Sequence, residues 1–107
     1  MTADCFTTNV DSFGNDVDIK LGTWFAPIGD AEACQQLCQQ NTACNYFLYG
    51  KDFNIPNLGR RDICWLKSAQ TTLTPYTGLV FGPKRCQVVG NISNTYTSLS
   101  YLKFIST

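Results

Sequence analysis

Apolar and polar residues alternate along this chain with two different periods, and the change of period marks its elements. From Asp16 to Leu21 the period is two: Val17, Ile19 and Leu21 fall on one side, and Asp16, Asp18 and Lys20 on the other. That alternation predicts a half-buried strand. From Ala31 to Gln40 the period lengthens. Cys34 and Cys38 stand four apart, and Ala33 and Leu37 extend their side into an apolar stripe, while Gln35, Gln36, Gln39 and Gln40 face away. No Gly, Pro or β-branched residue interrupts the run, Asp30 after Gly29 is placed to act as the N-cap, and Glu32 adds negative charge to the first turn. The prediction is one short helix. It is too short to persist alone in water, so its cysteine-bearing side must be anchored.

The other segments read more simply. Cys5 to Val10 is extended and ends in the turn-like stretch Asp11 to Asp16. Gly22 to Gly29 links the first strands to the helix, and its Trp24 and Phe25 are expected to cover the core, as large aromatics do in small domains. Cys44 to Tyr49 is aromatic-rich and strand-like. Gly50 to Arg61 holds two glycines, a proline and two asparagines and is expected to be a long loop. Asp62 to Lys67 is the next strand, Ser68 to Thr77 is polar, and Gly78 to Phe81 begins a last strand that leads to Cys86. Antiparallel strands with one inserted helix make an α+β architecture. Residues 87–107 have no cysteine and a single charge, Lys103, and are expected to be a C-terminal tail or linker with the makings of an added strand around Leu99, Tyr101, Leu102, Phe104 and Ile105. Asn91 heads the Asn-Ile-Ser sequon, a candidate glycosylation site.

Composition narrows the setting. With 107 residues the chain makes one small domain, and six cysteines without any histidine fit an extracellular disulfide framework. Zinc is disfavoured because the close spacings are C-x3-C and C-x5-C, not CxxC knuckles. Eight basic and eight acidic residues cancel and are scattered, so nothing calls for nucleic acid or an anionic membrane. No apolar run has the length of a membrane span, and the N-terminus lacks the apolar stretch of a signal peptide. Met1 is therefore expected to be an expression start on a fragment whose precursor carries its signal elsewhere. No catalytic constellation is visible, since histidine is absent and the cysteines are committed to bridges. Asp16 and Asp18 share a strand side but offer too few oxygens for a calcium site, so no metal or other cofactor is expected.

The order Cys5, then ACQQLCQQNTAC, then an aromatic strand, then DICWLK, then GLVFGPKRC resembles the Apple/PAN domain. The likeness covers Cys5 to Cys86 and includes all six cysteines. The helix segment, the CWLKS run and the ending GPKRC look especially like the Apple repeats of apicomplexan microneme adhesins and related protist lectins. The resemblance implies a curved antiparallel sheet cradling one helix, with residues 1–86 as the domain. Sequence alone leaves fifteen pairings open for six cysteines. The resemblance implies Cys5 with Cys86, Cys34 with Cys64, and Cys38 with Cys44. It further implies a secreted, non-enzymatic binding module, with sister domains in the parent protein, that meets a cell-surface glycan or a protein receptor.

The best candidate surface is the stretch Gly50 to Arg61 with its shoulders Tyr49 and Asp62. It combines Lys51, Asp52, Arg60 and Arg61 with Phe53, Ile55 and Leu58. Recognition often sits on loops held by a rigid scaffold. A sugar needs an aromatic face for its C–H side and polar groups for its hydroxyls, which Tyr49, Phe53 or Tyr76 with Lys51, Asp52 or Lys67 supply. Arginines and aromatics are also the residue types that dominate protein–protein hot spots, which leaves a protein partner as the alternative.

Overall fold

The computed structural model describes residues 5–87. Along the chain run β1 (Thr7–Asp11), β2 (Asp16–Leu21), α1 (Ala31–Gln39), β3 (Tyr46–Ile55), β4 (Gly59–Lys67) and β5 (Thr74–Pro83). The five strands form one antiparallel sheet in the order β1-β5-β3-β4-β2. Helix α1 lies across β3, β4 and the end of β5. The architecture is the α+β arrangement of a sheet with one helix that the alternation predicts. The expected tail strand and the Asn91 sequon lie outside the described residues.

The helix forms where the sequence places it. The carboxylate of Asp30 accepts from the Ala33 amide at 2.8 Å, satisfying one of the donors that a helix start leaves unpaired. Cys34 and Cys38 point inward and are wholly buried, with Cys44, Phe47, Cys64, Leu66 and Tyr49 around them and Phe6, Ile28, Ala31 and Leu37 at the margin. Three bridges close this side: Cys34–Cys64 ties the helix to β4, Cys38–Cys44 ties it to the turn before β3, and Cys5–Cys86 joins the two ends of the sheet-forming region. Gln35 departs from expectation. It is buried rather than solvent-facing, because its amide donates to the Pro83 carbonyl at 3.1 Å, and Gln39 likewise reaches the Lys84 carbonyl at 3.0 Å.

Three further expectations are corrected. The first concerns Gly50 to Arg61, which is a β-hairpin and not a long loop: β3 continues to Ile55, β4 starts at Gly59, and only residues 56–58 form the turn. The turn's Pro56, its Asn57 at φ 70° and the following Gly59 at φ 82° supply the special conformations, so the loop-like composition belongs to a few positions. The second is β2, where Val17, Ile19 and Leu21 are exposed, because β2 is an edge strand and no element among the described residues covers its apolar side. Asp16 and Asp18 are each paired with a lysine, Lys67 at 2.6 Å and Lys20 at 2.7 Å. The third is the link after β2. Trp24 is 75% and Phe25 98% exposed, and only Ile28 of that stretch packs against the core.

On the side of the sheet away from α1, Leu48, Leu79 and Phe81 form a second, smaller cluster flanked by Val10, Tyr46, Phe53, Trp65 and Leu73. Strand alternation explains the division: Phe47 and Tyr49 face the helix while Tyr46 and Leu48 face away. Lys67 is also on that far side and is buried, its ammonium held by Asp16 and by the Gly14 carbonyl at 2.9 Å.

Candidate functional site

The site begins with a fault in the β3–β4 ladder. Gly50 pairs with Ile63 but Phe53 pairs with Arg61, so β3 carries one residue more than β4 between those pairs. Such a bulge re-aims the side chains that follow. Phe53 thereby turns to the side occupied by Leu48, where its ring lies edge-on to Trp65 at 5.7 Å and stacks on Tyr76 at 6.3 Å between centroids. The Phe53 ring also lies over Gly50, where a Cβ would collide with it, so the bulge and the glycine depend on each other.

Across from the bulge, Asp62 organises the other wall. Its buried carboxylate accepts from the amides of Ile28 at 3.1 Å and Gly29 at 2.9 Å, and from the Tyr49 hydroxyl at 2.9 Å. No cation pairs with it among the described residues; three neutral donors satisfy it. Burial, and then the hydrogen bond to Asp62, push the Tyr49 phenol well above its ordinary range, so it stays a donor. These bonds clamp the link from Gly22 to Gly29 onto β4, and Gly22 is needed because a Cβ there would strike the Asp62 carboxylate. Thr23 caps a turn of the link by accepting from the Ala26 amide at 2.9 Å, which throws Trp24 and Phe25 outward.

Between these walls lies an open cleft of about 780 Å³. Its lining comes from the link (Thr23, Trp24, Pro27 and Gly29), from β3 and β4 (Tyr49, Lys51, Asp52, Phe53, Arg60, Arg61 and Asp62) and from the start of β5 (Tyr76, Thr77 and Gly78). Of the residues named from the sequence, the six candidate ligand-binding residues Tyr49, Lys51, Asp52, Phe53, Arg60 and Arg61 line one cleft, in different states, whereas Ile55 and Leu58 do not line it. Tyr49 is buried and its hydroxyl is taken by Asp62. Phe53 is half-buried under Tyr76, and Lys51 is exposed. The Arg60 guanidinium donates to the Asp52 carboxylate at 2.9 Å, which lowers the Asp52 pKa below the usual carboxylate range and raises that of Arg60. Arg61 donates through one terminal nitrogen to the Leu58 carbonyl, while its buried Nε has no partner among the described residues. Lys67, the other polar candidate, is not at the cleft: it is spent on Asp16 and Gly14.

Two aromatic contributors stand outside the stretch Tyr49 to Asp62: Trp24 comes from a segment read as core cover, and Tyr76, 48% exposed and named from the sequence as a sugar platform, from the start of β5. A tryptophan in a short link rich in Gly and Pro is a signal for an exposed aromatic, but it does not say which strand the link docks on. Chemically the cleft offers aromatic faces, amide and hydroxyl groups and a cationic rim. It groups no nucleophile with a base, and the described residues include no cluster of metal-ligating side chains.

The family model of the PAN domain matches residues 10–67, which carry β2, α1, β3 and β4 with four of the six cysteines. The chain belongs to the PAN/Apple domain family, and as such it is a binding module for protein or carbohydrate, disulfide-built and extracellular in type. No curated protein matches the sequence.

Proposed function

We propose that this domain is a lectin-like adhesive module whose cleft takes a surface carbohydrate, with residues 1–86 as the binding unit and 87–107 as its tail or linker. The observation that carries this reading is the aromatic frame of the cleft. Trp24 and Tyr76 stand exposed at the cleft, with Phe53 stacked against Tyr76, and ring faces are what the C–H side of a pyranose packs on. Beside them stand Lys51, the Asp52–Arg60 pair and Thr77, polar groups for sugar hydroxyls. The likeness to microneme Apple repeats supports a secreted adhesin, with sister domains, acting in host-cell attachment.

A glycan array with the oxidised domain, followed by NMR titration of each hit, tests the reading. Saturable shifts are expected at Trp24, Phe53 and Tyr76, with Trp24→Ala weakening binding about fivefold and leaving the unfolding midpoint unchanged. A blank array overturns it. The outward Trp24 and Phe25 favour a protein receptor as the second reading, because such large exposed aromatics are hot-spot residues. A pull-down that depends on Phe25, which does not line the cleft, would mark that outcome.

A further inference from the structure

We propose that the cleft selects saccharides bearing an acidic substituent, a carboxylate or a sulfate, held between Lys51 and Arg61. This rests on the lectin reading and specifies its ligand. Three cations and two carboxylates line the cleft, and the carboxylates are already committed. Asp62 is saturated by two amides and the Tyr49 hydroxyl, and Asp52 is paired with Arg60 through one carboxylate oxygen. Lys51 and Arg61 are left without a counter-ion among the described residues, although the whole chain is neutral. The excess is local.

Arg61 carries the stronger mark. Its Nε–H is buried without an acceptor, and leaving such a donor unmet costs more than a made hydrogen bond returns. Its guanidinium fork fits the paired oxygens of a carboxylate or sulfate, and a small swing from the Leu58 carbonyl would present it to one. The ladder places it directly across from Phe53, and Lys51 stands two residues before that ring, at the bulge. A sugar lying on Tyr76, with Phe53 beneath it, thus brings a substituent on its edge toward the two cations that have no carboxylate partner among the described residues. Arg60, exposed and already paired, is predicted to add little.

The test is calorimetric titration of the oxidised chain, at physiological salt, with two matched pairs: sialyllactose beside lactose, and 3′-sulfolactose beside lactose. The first pair reads a carboxylate and the second a sulfate. At least one acidic member is expected to bind about tenfold tighter than its neutral partner, and Lys51→Gln or Arg61→Gln to erase that margin. Arg85→Gln removes the same charge from an exposed position outside the cleft and should leave the margin intact. Lys51 is exposed, so its variant reads out even if Arg61→Gln perturbs folding. Equal binding of acidic and neutral partners overturns the proposal while the lectin reading stands. An equal loss with Arg85→Gln overturns it too, because the effect would then be diffuse attraction. Binding to an acidic peptide but to no saccharide, or to nothing at all, overturns both readings.

Discussion

The two faces of the sheet are built from similar residues and reach different ends. Toward α1, Cys34, Cys38, Cys44, Phe47, Cys64 and Leu66 have no exposed surface, and two of the three bridges are set among them. On the other face Leu48, Leu79 and Phe81 are buried as well, yet Trp65, Tyr46, Phe53 and Leu73 at their margin are only half-buried, and among the described residues no helix covers them. The apolar side of β2 is more exposed still. Because burial and cross-links are concentrated on one face, the other is free to carry a bulge, a cleft and unpaired cations. Rigid support and variable surface are divided between the two sides of a single layer.

Truncating one large aromatic on each face would break this comparison most directly. Phe47→Ala should cost about 3–5 kcal/mol in urea denaturation, since it opens a cavity in a region held from collapsing by bridges. Trp65→Ala, half-buried on the open face, should cost about 2 kcal/mol. Equal losses would mean that the open face is a second core and not a margin. The bridges sharpen the same point. Replacing Cys34 and Cys64, 30 residues apart, by alanine should cost about 3.5 kcal/mol if chain entropy dominates, against about 2 for Cys38 and Cys44, six apart. Identical losses would assign the effect to packing in the folded state instead.

The smallest expected effect lies where the faces meet at the cleft. Tyr49→Phe removes one of three donors to Asp62 and should cost about 1 kcal/mol near neutral pH. It should also change the alkaline limb of the stability curve. The folded protein keeps the Tyr49 proton above the ordinary value of 10.0, whereas the unfolded chain loses it there. Above that pH the unfolded state binds fewer protons, so stability falls as pH rises, by up to about 1.4 kcal/mol per unit, and below it this group adds no slope. The variant should lack that share of the decline; an unchanged alkaline slope would show that Tyr49, whose proton burial and then the Asp62 bond retain, is not the group responsible.

The helix was legible because its signals are local: an N-cap, a run of good helix formers and two cysteines one turn apart. The element order was legible for the same reason, and so was the cluster of six cleft residues, which β3 and β4 bring together by pairing near neighbours. What escaped depends on partners distant in sequence. Alternation cannot say whether an element covers Val17, Ile19 and Leu21, since that depends on β2 being an edge strand. Nor does composition distinguish a loop from a hairpin when one three-residue turn holds Pro56, Asn57 and Leu58 and the flanking strand tolerates Gly50 beneath the Phe53 ring. Gln35 looked solvated because its acceptor, Pro83, lies 48 residues away. Trp24 enters the cleft through the docking of its link beside β4 and carries no local sign of it, whereas Tyr76, named from the sequence as an aromatic face, is brought there by β5.

The bridge between Cys5 and Cys86 brings their Cα atoms within 5.6 Å although 81 positions separate them. Tension that enters the chain at one of these residues and leaves at the other crosses a single covalent link. The strands, the helix and the cleft between them hang beside that line of force and carry none of it. Pull passing along the backbone from one side of the domain to the other would leave the groove in shape, and only cutting that one bond would route the load through the sheet.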